Sequence, residues 1–205
     1  MCGICGIIYR DGSHVNESIL RRMNQQMFTR GPDDDGYYVS DNIGLAMRRL
    51  AIIDIEKGHQ PIMNKERSVI VIMNGEIYNY IELRNELEKK GHQFLTNSDT
   101  ETLVHLYEEY GTEAVNYLNG MFAFCLWDTK KQRLWIARDR LGIKPLVFFE
   151  NNNMFAFASS VDSLSVLPEI GRRLDIESLK SFFGLAYVPT PKSIWKGIKK
   201  LQAGH

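Results

Sequence analysis

The sequence predicts an α+β fold in which sheets pack against one another with helices outside them. Three observations point there. Strand-length apolar segments outnumber helix-length periodic ones, the helices fall in two clusters between groups of strands, and the later strands follow at hairpin spacing with no helix between them. A chain of 205 residues is long enough for one large domain with a real core.

Residues 3–9 are short, apolar and punctuated by glycine, which suits a buried strand almost at the terminus. In 17–29, Leu20, Met23 and Met27 recur at helical spacing with polar residues between them. Residues 30–36 are turn-rich, because Gly and Pro break both regular patterns. Short strands are predicted at 37–39, 43–47 and 50–55, then at 68–73, ending at Asn74-Gly75, a pair that favours a tight turn. Residues 80–90 read as a helix with Leu83 and Leu87 on one face and Gly91 as a stop; 100–110 repeat that logic before Gly111, and 113–118 add a further turn. Four strands follow at 121–128, 133–138, 146–149 and 154–158, then a helix at 176–183 and a linker-like stretch with two prolines at 188–191.

Composition excludes several classes of function. Basic and acidic side chains balance at 25 each, so no net field draws in nucleic acid or anionic lipid. No aromatic-basic stripe suits a strand-binding groove. Apolar runs are far shorter than the ~20 residues of a membrane span, and the N-terminus lacks the pattern of a signal peptide, so the expected compartment is the cytoplasm. Three cysteines, an odd number, argue against a secreted disulfide framework. Cys2 and Cys5 have redox-pair spacing without the βαβ context that motif needs, and the histidines (14, 59, 92, 105, 205) are too dispersed to predict a zinc site. Asp33-Asp34-Asp35-Gly36 suggests a calcium loop, but its twelfth position is Asn42, where a glutamate is required. No metal is expected.

The residue with the most chemistry is Cys2. Trimming of the initiator methionine, which a small second residue permits, would leave one residue carrying both a thiol and a free α-amine. That amine, with a pKa near ~7.7–8.0, can take the thiol proton at neutral pH, so the nucleophile supplies its own base.

The segments MCGICGI (1–7), RGPDDDG (30–36), RRLAIID (48–54), GHQPIMN (58–64), NGEIYNY (74–80), LRNEL (83–87), NSDTE (97–101), LNGMFAFCLWD (118–128) and RDRLGIKPL (138–146) follow one another across nearly the whole chain. In that order they resemble the class II, N-terminal-nucleophile glutamine amidotransferases, and within them the glutaminase half of glutamine-hydrolysing asparagine synthetase. The resemblance implies a four-layer αββα sandwich of two mainly antiparallel sheets between helix layers. It implies hydrolysis of glutamine to glutamate and ammonia through a Cys2 thioester. Asn74 and Gly75 match the oxyanion hole, a side-chain amide and a backbone N–H suited to a developing negative charge. Arg49 matches the residue that grips the substrate α-carboxylate, with Leu50 and Ile52 on the same substrate loop, and Glu76 and Asp99 match positions near the α-ammonium.

Three positions depart from the family pattern: Thr29 and Met47 where histidines are usual, and Ser160 where a glutamate is usual. They leave two alternatives open, a weakly catalytic or degenerate binding domain and the glutaminase half of an amidotransferase with another acceptor. The expected division is a glutaminase domain at 1–187, followed at 188–205 by a linker and the truncated start of an absent synthetase domain. No cofactor is expected here; ATP and Mg belong to that absent domain, as does the synthetase reaction. The implied partners are L-glutamine and a synthetase domain in cis or in trans, with a homodimer as a further option.

Overall fold

The computed structural model describes residues 1–205. In chain order its elements are β1 (Gly3–Tyr9), α1 (Glu17–Gln25), β2 (Asp34–Ser40), β3 (Ile43–Arg49), β4 (Ile62–Met63), β5 (Val69–Ile77), α2 (Tyr80–Lys89) and α3 (Asp99–Tyr110). A 3₁₀ helix (Gly111–Tyr117) leads to β6 (Gly120–Asp128), β7 (Arg133–Arg138), β8 (Val147–Glu150), β9 (Met154–Ala158), α4 (Val161–Leu164), α5 (Ile176–Leu185) and β10 (Lys199–Lys200). The strands form a six-stranded sheet, ordered β10-β8-β9-β1-β3-β2, and a four-stranded sheet, ordered β4-β5-β6-β7; every pairing is antiparallel.

The two-residue alternation along the strands stacks these sheets. On β5, Val69, Val71 and Met73 pack outward against α2 and α3, while Ile70 and Ile72 face the other sheet. On β6, Phe122, Phe124 and Leu126 go outward, and Ala123, Cys125 and Trp127 inward. In the six-stranded sheet Cys5 and Ile7 lie outward against Leu20, Met23 and Met27 of the α1 region, whereas Ile4, Ile43, Leu45 and Met47 face inward. Three apolar layers therefore separate four structural ones, giving the αββα order. Burying each large aliphatic side chain in these layers contributes roughly 1.5–3 kcal/mol. No helix is long and apolar enough to cross a membrane. Cys2 and Cys5, on opposite faces of the first strand, belong to different layers, so their spacing does not make a pair.

Two expectations are corrected. Residues 50–55 are not a strand: their backbone curls around the buried Arg49 guanidinium, which donates to the carbonyls of Ile53 (3.0 Å), Asp54 (2.7 Å) and Ile55 (3.1 Å). Carbonyls gathered on one cation cannot also point along a sheet ladder. Asn74-Gly75 is not a turn but lies mid-strand, paired with Ala123 and Phe122. A Cβ at Gly75 would sit 2.3 Å from the Met121 carbonyl oxygen, so glycine serves close approach of β6 rather than chain reversal. Residues beyond 187 pack onto the same sheets. Ile198 is buried in the outer layer, β10 pairs with β8, and Arg138 donates to the Leu201 carbonyl.

Arg49→Lys tests the loop anchor. A single ammonium cannot serve three carbonyls, so the variant should lose about 2 kcal/mol of stability and be nicked faster by protease within 50–58, read by denaturant melts and mass spectrometry.

Candidate active site

Alternation also aims the functional side chains. Continuing the inward row of β1 places Cys2 on the same side as Ile4, and Cys2 packs against the inter-sheet layer. Arg49 extends the inward row Ile43, Leu45, Met47, and Asn74 extends the row Ile70, Ile72. All three meet at one end of the gap between the sheets.

A cavity of about 190 Å³ opens there. Its walls include every residue singled out from sequence: Cys2, Arg49, Leu50, Ile52, Asn74, Gly75, Glu76 and Asp99. They also include residues not singled out, among them Gly58, Gln60, Ser98, Thr100, Met121 and Lys144. Gln60 stands within GHQPIMN and Lys144 within RDRLGIKPL, so the motif series itself carried the signal for both.

The Cys2 thiol lies against Leu50, whose N–H donates to Sγ at 3.4 Å and whose carbonyl accepts from it at 3.6 Å. Arg30 Nε donates to the Cys2 carbonyl at 3.1 Å. Burial pushes the thiol above its ordinary pKa; the Leu50 N–H and the positive charge of Arg49 oppose that rise.

Opposite it are two donors. The Asn74 amide nitrogen, on a side chain only 1% exposed, has no hydrogen-bond partner. An unpaired buried donor costs roughly 1–3 kcal/mol, a cost that an acceptor entering the cavity would offset. Gly75 supplies the second donor. Tyr78 N–H donates to the Asn119 carbonyl and Thr129 N–H to that of Ser68, so even-numbered residues of β5 hydrogen-bond to β6. Gly75 N–H therefore points the other way, in the row where Met73 N–H meets Gln60 Oε1 (2.6 Å) and Ile77 N–H meets Asp99 Oδ2 (2.9 Å).

The rest of the wall separates charge. Asp99 begins α3, after a cap in which Ser98 Oγ accepts from Thr100 N–H. Burial raises the Asp99 carboxyl pKa, the N–H groups of Ile77 and Thr100 oppose this, and the nearby Glu76 charge adds to it. A cation at this wall would relieve both effects. Arg49 spends three of its five N–H donors on the 50–58 loop, which leaves two for an anion. Gly58 stays close because a Cβ there would lie 2.6 Å from the guanidinium. Asp54, at φ +49°, accepts from Asn97 N–H at 2.6 Å and ties this loop to the start of α3.

The three departures from the family pattern lie off the cavity wall. Met47 is fully buried in the inter-sheet layer, Ser160 caps α4 by accepting from Asp162 N–H, and Thr29 sits in the exposed turn after α1.

Comparison with known proteins places this geometry in a family. The family model described as "Glutamine amidotransferase domain" matches residues 1–205. Among curated proteins, asparagine synthetase (glutamine-hydrolyzing) 1 of Bacillus subtilis is 42% identical over 207 residues, covering 100% of this chain and 33% of that protein. Asparagine synthetase (glutamine-hydrolyzing) 3 of the same organism is 40% identical, covering 100% and 34%. The chain thus spans about a third of the length of these curated relatives. Among solved structures, the glutamine phosphoribosylpyrophosphate amidotransferase of B. subtilis superposes with a TM-score of 0.67 at 21% identity, over 80% of this chain and 43% of that one. At that identity the likeness establishes the fold, in agreement with the αββα layers. With a family match that runs the length of the chain, this protein belongs to the glutamine amidotransferase domain family.

Proposed function

We propose that this chain hydrolyses the side-chain amide of L-glutamine to glutamate and ammonia, with Cys2 as nucleophile. The observation that carries the reading is the Cys2 thiol at the end of the inter-sheet gap, across a cavity from a buried Asn74 amide without a partner. Once Met1 is removed, the free α-amine of Cys2 takes the thiol proton. The thiolate adds to the amide carbon, and Asn74 Nδ2–H and Gly75 N–H hold the resulting oxyanion. The α-ammonium returns its proton to the leaving nitrogen, the C–N bond breaks and ammonia departs. Water then adds to the thioester carbon, the C–S bond breaks, and glutamate leaves with the thiol restored.

Substrate recognition in this reading uses the charge separation of the wall. The two free donors of Arg49 take the α-carboxylate, and Asp99 with Glu76 takes the α-ammonium. The reaction needs no cofactor. Because the relatives are named as glutamine-hydrolyzing asparagine synthetases about three times as long, the released ammonia is read as serving a synthetase domain, in cis or in trans. ATP and Mg would belong there, with asparagine as the product. A cytoplasmic setting goes with the reading, since a thiol nucleophile must stay reduced. The intact cavity wall, untouched by Thr29, Met47 and Ser160, favours an active site over a degenerate binding domain.

Glutamate release from glutamine tests this directly. Cys2→Ala should abolish it, and so should a chain whose Met1 is retained, as judged by intact mass; activity surviving either change would refute the N-terminal nucleophile. Asn74→Ala should lower kcat by about 10²–10³-fold with KM little altered, because its donor matters most in the transition state. The rate for the trimmed chain should fall as pH drops below the α-amine pKa of ~7.7–8.0, where the base is protonated; a flat profile across that range would exclude the amine as base.

A further inference from the structure

We infer that the α2–α3 face holds a divalent metal site of the zinc class, formed by His92, His105 and Glu108 and separate from amide hydrolysis. His105 and Glu108 stand one turn apart on α3, and His92 reaches them from the turn after α2, where Gly91 at φ +100° reverses the chain. His92 Nδ1 lies 3.2 Å from His105 Nδ1 and 3.5 Å from Glu108 Oε2, and His105 Nδ1 lies 3.0 Å from that same oxygen. Bonds of 2.0–2.1 Å in a tetrahedron put neighbouring ligand atoms about 3.3 Å apart, so the three atoms mark one face of such a site.

The surroundings set these atoms up as ligands. His92 Nε2 meets Glu109 Oε1 at 2.9 Å, and His105 Nε2 is turned toward Glu101 Oε1 at 3.7 Å. At His92 the Glu109 carboxylate accepts from the outer N–H and leaves the Nδ1 lone pair directed at the common point, as in carboxylate–histidine–metal arrangements. His105, 7% exposed, has no hydrogen-bond partner at Nε2, so the inward atoms are the ones tightly engaged. Asn64 Nδ2 holds Glu108 Oε1 at 2.8 Å and thereby fixes the ligating Oε2. Imidazole with carboxylate, and glutamates behind both rings, suits a borderline divalent ion. Beside the triad lies a cavity of about 440 Å³, lined in part by Asn64, Lys65 and Gln93, which gives water access to the fourth position. Glu108 is nine residues from Asp99, about 13 Å along α3, so the ion would brace the helix that begins at the glutamine pocket without reaching it.

The purified, metal-free chain is titrated with Zn²⁺ by calorimetry, with Co²⁺ absorption as the geometric readout. The expected result is one ion per chain, a tetrahedral Co²⁺ spectrum and a higher Tm with Zn²⁺. His92→Ala and Glu108→Gln should each weaken binding by about 100-fold, Glu109→Gln by about tenfold, and Cys2→Ala should leave it intact. His92 and Glu108 are partly exposed, so their variants keep the fold testable where a change at buried His105 could collapse it. Absence of stoichiometric uptake, uptake unchanged in His92→Ala, or uptake lost with Cys2→Ala would overturn the site, the first leaving the cluster as a proton-bridged ion-pair network.

Discussion

Cys2, Arg49 and Asn74 come from two sheets and from chain positions far apart, yet they share one gap. The constraint behind this is the pleat. Because side chains alternate strictly along a strand, the inward rows that build the layer between the sheets also fix which side of each strand faces the cavity. A one-residue slip of β5 against β6 would turn Asn74 outward. The apolar layer thus does more than hold the sheets together: it sets the register on which the meeting of Cys2, Arg49 and Asn74 depends.

A second level of order is polar. The Gly75 N–H shares its row with two occupied neighbours, Met73 held by Gln60 and Ile77 by Asp99. Gln60 also donates to Thr100 Oγ1, so the loop before β4, the central strand β5 and the start of α3 are pinned at one place. Arg49 is likewise both wall and scaffold: the charge suited to a substrate carboxylate also winds the loop that carries Leu50 onto the thiol. Binding chemistry and loop structure cannot be separated at this residue.

Most of the strands and the long helices were legible in the sequence, because alternation and helical spacing act locally. The α+β class followed from them, and the motif series carried the four layers and the site residues as a resemblance. What escaped was set by partners distant in the chain. Residues 50–55 have strand-like composition, but Arg49 competes for their carbonyls. Asn74-Gly75 looks like a turn until a neighbouring strand requires glycine there. His92 and His105 look dispersed because only the packing of α2 on α3 brings their rings to 5.0 Å. Gln60 and Lys144 stand inside two of the motifs, but only the fold turns them to the cavity wall.

The short strand β10 has a consequence for how this domain behaves among copies of itself. Without it the six-stranded sheet would end at β8, whose Val147, Phe148 and Phe149 would offer open backbone groups beside apolar side chains. Two lysines occupy that edge instead, and charge on a short border strand discourages further strands from adding. A version cut at 187 would keep the whole cavity wall around Cys2 yet gain an adhesive border. Its failure would be self-association in solution rather than faulty chemistry.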